Sequence, residues 1–153
     1  MVAMIEICEA PTEAERAAIL KPLLEFNRCA VGDAGHSRVA ILIRDDKTSE
    51  VTGGLWASVF YNWLYVELLC VPEAARGSGI GTALLATAES IAIARNCVGV
   101  WLDTYEFQAP AFYEKLGYEV FARLPQYPTG YERFFLKKMV DNAATGYSGA
   151  KAR

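Results

Sequence analysis

The sequence predicts a mixed α/β (α+β) domain: one central mixed sheet of about six to seven strands, with helices on both faces. Three observations predict it. The chain has 153 residues, the length of one ordinary domain. Its composition is 53% hydrophobic and 22% charged, which is globular rather than disordered. Its segments read in the order strand, helix, three strands, helix, strand, helix, two strands. Residues 1–140 are expected to form the domain, and 141–153, small and polar, a flexible C-terminal tail.

Met4 to Cys8 reads as a first strand. Pro11-Thr12-Glu13 opens a helix, with Thr12 as its cap and Glu15 three residues on, as in a capping box. Ala18, Ile19, Leu23 and Phe26 form one apolar stripe on it. Gly32 and Gly35 bracket a loop, and Arg38 to Arg44 is a short strand. Val51 to Tyr61 and Trp63 to Val71 follow as longer strands, the second ended by Pro72, which cannot donate to a ladder. A helix runs from about Thr82 to Arg95, with Leu84, Leu85, Ala88, Ile91 and Ala92 on its apolar face. Cys97 to Asp103 is a strand, continuously apolar from Val98 to Leu102 as a buried parallel strand should be. Pro110 to Leu116 is a short helix ended by Gly117. Tyr118 to Arg123 and Tyr131 to Met139 close the sheet. The two strands flanking the second helix are expected to be parallel, joined by a right-handed crossover.

Several function classes are excluded early. Fifteen Lys and Arg stand against eighteen Asp and Glu, a net charge of −3, and no basic run suits a nucleic acid. The one histidine, His36, is too little for most zinc arrangements, so no metal is expected. The four cysteines lie far apart, with no Cys-x-x-Cys pair. Cys8, Cys70 and Cys97 sit in apolar stretches and read as buried free thiols, which fits a cytoplasmic protein. Met1 to Ala10 carries Glu6 and Glu9 and no basic region, unlike a secretory signal. Val51 to Pro72 is almost uncharged, but Asn62 and Glu67 interrupt it and its Val, Trp, Tyr and Phe suit strands. Two strands turning near Asn62 explain it better than a membrane span.

The informative segment is Arg76-Gly77-Ser78-Gly79-Ile80-Gly81, followed by Thr82, at a strand–helix junction. Glycines here permit positive φ and close approach of a ligand. The helix aims unpaired N–H groups and its positive dipole end back at the loop, a site suited to phosphate. Arg76 would add a bidentate donor. A Walker loop would need Gly-Lys-Ser/Thr, and no lysine follows. A Gly-x-Gly-x-x-Gly fingerprint fails too: its sixth position falls on Thr82 or on Leu84.

Arg-x-x-Gly-x-Gly after a strand ending Leu69-Cys70-Val71-Pro72 resembles the signature of the GNAT superfamily of N-acetyltransferases. A second segment, from Ala109-Pro110-Ala111-Phe112-Tyr113 to Lys115-Leu116-Gly117-Tyr118, resembles that family's Ala-x-x-Phe-Tyr-x-Lys-x-Gly-Phe/Tyr motif. The resemblance covers about Met4 to Met139. One departure is Glu106, where many members carry Asn.

The resemblance implies acetyl-coenzyme A as cosubstrate, its pyrophosphate on the N–H groups from Gly77 to Thr82. The pantetheine arm would pair with backbone of Leu69, Cys70 and Val71, in a gap where two parallel strands splay. A backbone N–H there would polarise the thioester carbonyl. Ala109 and Phe112 of the second motif are expected to line the same site. Tyr113 matches the family's tyrosine near the sulfur, and a phenol is protonated near neutrality, so it can act as general acid. Glu67 is the candidate base: strict alternation would put it on one face with Leu69 and Val71, and burial there would raise its pKa. Asp103, Tyr105 and Glu106 are reserve candidates. Trp56, Tyr61, Trp63, Tyr65, Tyr127 and Tyr131 offer aromatic surface for an acceptor.

The reading is transfer of acetyl from acetyl-coenzyme A to a primary amine of a small molecule or peptide. An acidic chain suits a cationic amine. A non-catalytic acyl-coenzyme A sensor would keep the loop and lose the tyrosine, so Tyr113 favours an enzyme. The exposed closing strands would offer a surface for a homodimer.

Overall fold

The structure, a computed structural model, describes residues 3–140. The expected tail lies outside the described residues. The chain divides into two compact units, one ending at Ala34 and the other starting at Gly35.

The first unit holds one helix, α1 (Glu13–Val31). Its start is the capping box read from the sequence. The Glu15 backbone N–H donates to the Thr12 hydroxyl at 3.3 Å, and the Thr12 backbone N–H donates to the Glu15 carboxylate at 2.7 Å. Those bonds hold the Glu15 carboxyl below its ordinary range. Gly32, at φ 88°, ends the helix. The strand expected at Met4 to Cys8 does not form. A strand needs a ladder partner, and this unit has no other strand among the described residues.

The second unit is built on six strands: β1 (Ser37–Arg44), β2 (Val51–Phe60), β3 (Trp63–Cys70), β4 (Gly99–Tyr105), β5 (Glu119–Pro125) and β6 (Glu132–Met139). They are ordered β1-β2-β3-β4-β6-β5 across one sheet. The β3–β4 pair is parallel and every other pair antiparallel. The uncharged stretch after Val51 is thus the β2–β3 hairpin, turning at Tyr61 and Asn62. Helix α2 (Ile80–Ala94) is the crossover between β3 and β4, and α3 (Pro110–Lys115) lies between β4 and β5.

The core lies between α2 and one face of the sheet. Leu55, Ala57 and Val59 of β2, Leu64 and Val66 of β3, and Val100 and Leu102 of β4 meet Leu84, Leu85, Ala88 and Ala92 of α2. The two alanines are fully buried, so the helix backbone can come close to the strands. β4 is less uniformly buried than its apolar sequence suggests. Val100, Leu102 and Thr104 face the core, whereas Trp101, Asp103 and Tyr105 are only half-buried on the other face. Its neighbour on that edge is antiparallel β6, so the sheet is mixed at its centre. Of the thiols expected to be buried, Cys97 is, whereas Cys8 and Cys70 are exposed.

Candidate active site

The opening between β3 and β4 is set by where their pairing stops. Trp63 to Val66 pair with Gly99 to Leu102. Beyond that point each strand continues only with its outer neighbour. Leu68, Leu69 and Cys70 pair with Trp56, Leu55 and Gly54 of β2, while Asp103, Thr104 and Tyr105 pair with Phe135, Phe134 and Arg133 of β6. The parallel strands therefore diverge, and their facing backbone edges are open to a strand-like ligand.

A bulge helps to make the divergence. Ala57 pairs with Val66 and Trp56 with Leu68, so Glu67 is the extra residue in β3. The bulge shifts the alternation by one. Leu69, opposite Leu55, now shares the core face with Val66 and Leu64, and the regular alternation of Glu67 with Leu69 is broken. Glu67 is exposed, so the burial expected to tune its carboxyl is absent. Leu69 and Val71 pack partly against the core, and Cys70 is exposed between them.

At the end of β3 the chain makes one short 3-10 turn, Glu73–Ala75, and enters the glycine loop. The loop is braced from within. The Arg76 Nε donates to the Val71 carbonyl at 3.3 Å, and the Ser78 hydroxyl donates to the Ala75 carbonyl at 2.6 Å. Gly77 and Gly79 stand at φ 77° and 85°, in the left-handed region that favours glycine. A Cβ built on either would meet nothing within 4 Å. Gly79 is the N-cap of α2 and supplies no side-chain cap. The first backbone bond back into the loop comes from Ala83, to the Gly79 carbonyl, which leaves the amides of Ile80, Gly81 and Thr82 at the helix mouth. Left-handed glycines, open space and uncapped amides suit a phosphate group.

Gly81 ties this loop to α3. A Cβ there would lie 3.1 Å from the Phe112 ring and 3.6 Å from Val71. Its absence lets Phe112 sit against the start of α2. Ala109 is the N-cap of α3, and Pro110 stands in its first turn, where a missing N–H costs nothing. The Tyr113 ring packs edge-on to Phe112 at 5.1 Å and to Tyr118 at 6.2 Å. Burial pushes the Tyr113 phenol above its ordinary pKa, and the Asp103 carboxylate adds to the rise. Tyr113 thus stands between the glycine loop, through Phe112, and the splayed end of β4, through Asp103.

The polar frame of the site was not legible as a unit in the sequence. The Tyr65 hydroxyl donates to Asp103 Oδ2 at 2.8 Å, and Arg133 Nε donates to Asp103 Oδ1 at 2.8 Å. Arg133 Nη2 closes onto the same oxygen. Both carboxylate oxygens of Asp103 are therefore occupied, and its part is structural and electrostatic rather than that of a free base. Burial, reinforced by Asp103, pushes the Tyr65 phenol up to about 12. Glu67 adds to that rise, which brings Glu67 into the same field. Of the other reserve candidates, Glu106 accepts the Glu132 backbone N–H at 3.1 Å, and the Tyr105 backbone N–H donates to Gln108 at 3.0 Å. Behind Tyr113, the Tyr118 hydroxyl donates to Glu89, which also pairs with Lys138 at 2.8 Å. Neither Arg133 nor Glu89 carries a sequence motif: Glu89 is a lone charge on an apolar helix, and Arg133 stands beside Glu132 in a strand.

The pattern of the acetyltransferase (GNAT) family matches residues 3–118. The chain belongs to the GNAT acetyltransferase family. It is 41% identical over 129 residues to an acetyltransferase of Agrobacterium fabrum, covering 84% of this chain and 93% of that one. It is 38% identical over 125 residues to the blasticidin-S acetyltransferase of Streptomyces morookaense, covering 81% and 90%. The fold matches the crystal structure of an acetyltransferase from Bacillus cereus with a TM-score of 0.78 at 26% identity, covering 88% of this chain and 97% of that one. This GNAT protein is accordingly an acetyl-coenzyme A-dependent acetyltransferase. Among its described residues no cluster of three or more His, Cys, Asp or Glu could hold a metal, and no helix is long and apolar enough to cross a membrane.

Proposed function

We propose that this acetyltransferase moves acetyl from acetyl-coenzyme A to a primary amine of a small molecule by direct attack, with Tyr113 as general acid. One observation carries the reading. The open edges of β3 and β4 run between an uncapped glycine loop and a half-buried tyrosine. The loop amides and Arg76 would take the pyrophosphate, and the β3 backbone at Leu69 to Val71 would hold the pantetheine arm. A β3 backbone N–H would steady the tetrahedral oxyanion. Tyr113, held protonated by burial and by Asp103, would return a proton to the departing thiolate. Glu67, at the bulge, would take the proton that the amine gives up, directly or through water. The blasticidin-S relative supports a small-molecule acceptor over a peptide. Four free thiols fit a cytoplasmic setting.

The test is a calorimetric titration with acetyl-coenzyme A, with ATP and NADH as controls, followed by release of free coenzyme A across amines and peptides. Selective binding of acetyl-coenzyme A and amine-dependent thiol release are expected. Equal binding of ATP, or thiol release only with peptide acceptors, would reject the reading.

A further inference from the structure

The tip of the β5–β6 hairpin carries an aromatic cluster that the acetyl-transfer steps above do not use. Tyr105, the last residue of β4, stacks on Phe107, with centroids 5.2 Å apart and planes 5° from parallel. Phe107 meets the edge of Tyr131 at 5.2 Å, and Tyr105 meets Tyr127 at 5.9 Å. Such rings are usually found in a core. Here Phe107, Tyr127 and Tyr131 remain 55%, 44% and 46% exposed.

The cluster is nevertheless firmly built. Gln108 accepts from the Thr104 hydroxyl at 2.9 Å and from the Tyr105 backbone N–H, which fixes the turn that presents Phe107. The Tyr127 backbone N–H donates to the Tyr131 carbonyl at 3.0 Å, and Gln126 accepts the Gly130 N–H at 2.9 Å, which closes the tip on itself. The Arg133 guanidinium lies 5.2 Å from the Tyr105 ring and 5.0 Å from Tyr127, held there by Asp103. A rigid, partly wet aromatic surface is costly unless something covers it.

Its place says what that something is. Tyr105 ends the splayed half of β4, two residues beyond Asp103, whose charge reaches Tyr113. The charges around the rings are mixed with an acidic balance: Asp103 pairs with Arg133 and Glu132 pairs with Arg123 at 3.5 Å, while Glu67, which acts on Tyr65, and Glu106 add further negative charge. A planar ring would stack on the aromatic surface, and a pendant ammonium would find complementary charge towards Glu67.

We propose that Tyr105, Phe107, Tyr127 and Tyr131 form the acceptor subsite, and that the acceptor is a small cationic primary amine bearing a planar aromatic or heteroaromatic ring. The inference rests on the acetyltransferase reading and names the substrate class of its site.

The experiment compares tryptamine with n-decylamine, amines of the same charge and similar mass, as acceptors for the full chain and for Phe107→Ala. Kd for acetyl-coenzyme A is measured on both proteins. Wild type should favour tryptamine by about tenfold or more in kcat/KM, the scale of one good ring contact. Phe107→Ala should lose most of that preference through a raised KM for tryptamine, with acetyl-coenzyme A affinity held within about twofold. A wild type indifferent to the ring, or a Phe107→Ala variant slowed equally on both amines, would overturn the subsite. Should neither amine turn over, saturable quenching of protein fluorescence by naphthylmethylamine, lost in Phe107→Ala, still supports it; no such quenching overturns it. Failure of the acetyltransferase reading shows separately, as loss of acetyl-coenzyme A binding by the wild type.

Discussion

Tyr113 carries the sharpest expectation at the level of single residues. It packs on Phe112, which lies against the loop, and the Asp103 charge acts on its phenol. Tyr113→Phe should lower kcat by about a hundredfold, the low end for a lost general acid, and leave Kd for acetyl-coenzyme A nearly unchanged. An unchanged kcat would remove the phenol from the mechanism. Tyr65 makes a different prediction, about pH. Its folded pKa stands at about 12, above the ordinary phenol value of 10. A raised value means that the folded state holds the proton more tightly than the unfolded one. The stability gained is complete below pH 10 and is lost as pH rises towards 12. Melting temperatures from pH 9 upward should fall more steeply in wild type than in Tyr65→Phe. Parallel curves would show that the Tyr65–Asp103 bond does not contribute.

Among the elements, the loop entering α2 is the one whose geometry is most demanding. Gly79 sits at φ 85°, and a side chain there would be strained by about 1–2 kcal/mol. Its Cβ would still meet no protein atom within 4 Å. Gly79→Val should therefore fold, with a modestly lowered melting temperature, while the new methyl groups enter the space a phosphate needs. Kd for acetyl-coenzyme A should weaken by about a hundredfold or more, read by calorimetry on a sample of native circular dichroism. Retained affinity would move the pyrophosphate elsewhere. The bulge in β3 has the opposite character. Little in the local residues demands it, yet it places Glu67 at the opening and returns Leu69 to the core.

For the molecule as a whole, charge is the quantity that matters. The chain carries −3 overall, and the splayed end of the sheet gathers Glu67, Asp103 and Glu106 against the cation Arg133. A cationic acceptor should be drawn to it. Raising ionic strength from about 0.01 to about 0.15 M shrinks the Debye length from about 30 to about 8 Å. Across that range kcat/KM for a dicationic amine should fall several-fold, and that for an uncharged aniline should stay level. Equal salt dependence for the two would show that the acidic rim does not steer the acceptor.

Much of this protein was legible before any tertiary contact was known. The Thr12–Glu15 capping box, the hairpin inside Val51 to Pro72, the parallel pair around α2 and the stop of α3 before Gly117 all rest on short-range rules. Those rules concern period, capping and backbone freedom, and they act over a few residues. The glycine loop was readable for the same reason. What only the tertiary structure decided lies across strands. It set the point where β3 and β4 part, after Val66 and Leu102. It set the bulge that exposes Glu67, and the exposure of Cys70. It joined Tyr65, Asp103 and Arg133, which are tens of residues apart in the chain. It also denied a strand to Met4 through Cys8, which reads as one in isolation. Register and pairing are properties of two segments at once, so a pattern within either segment leaves them open.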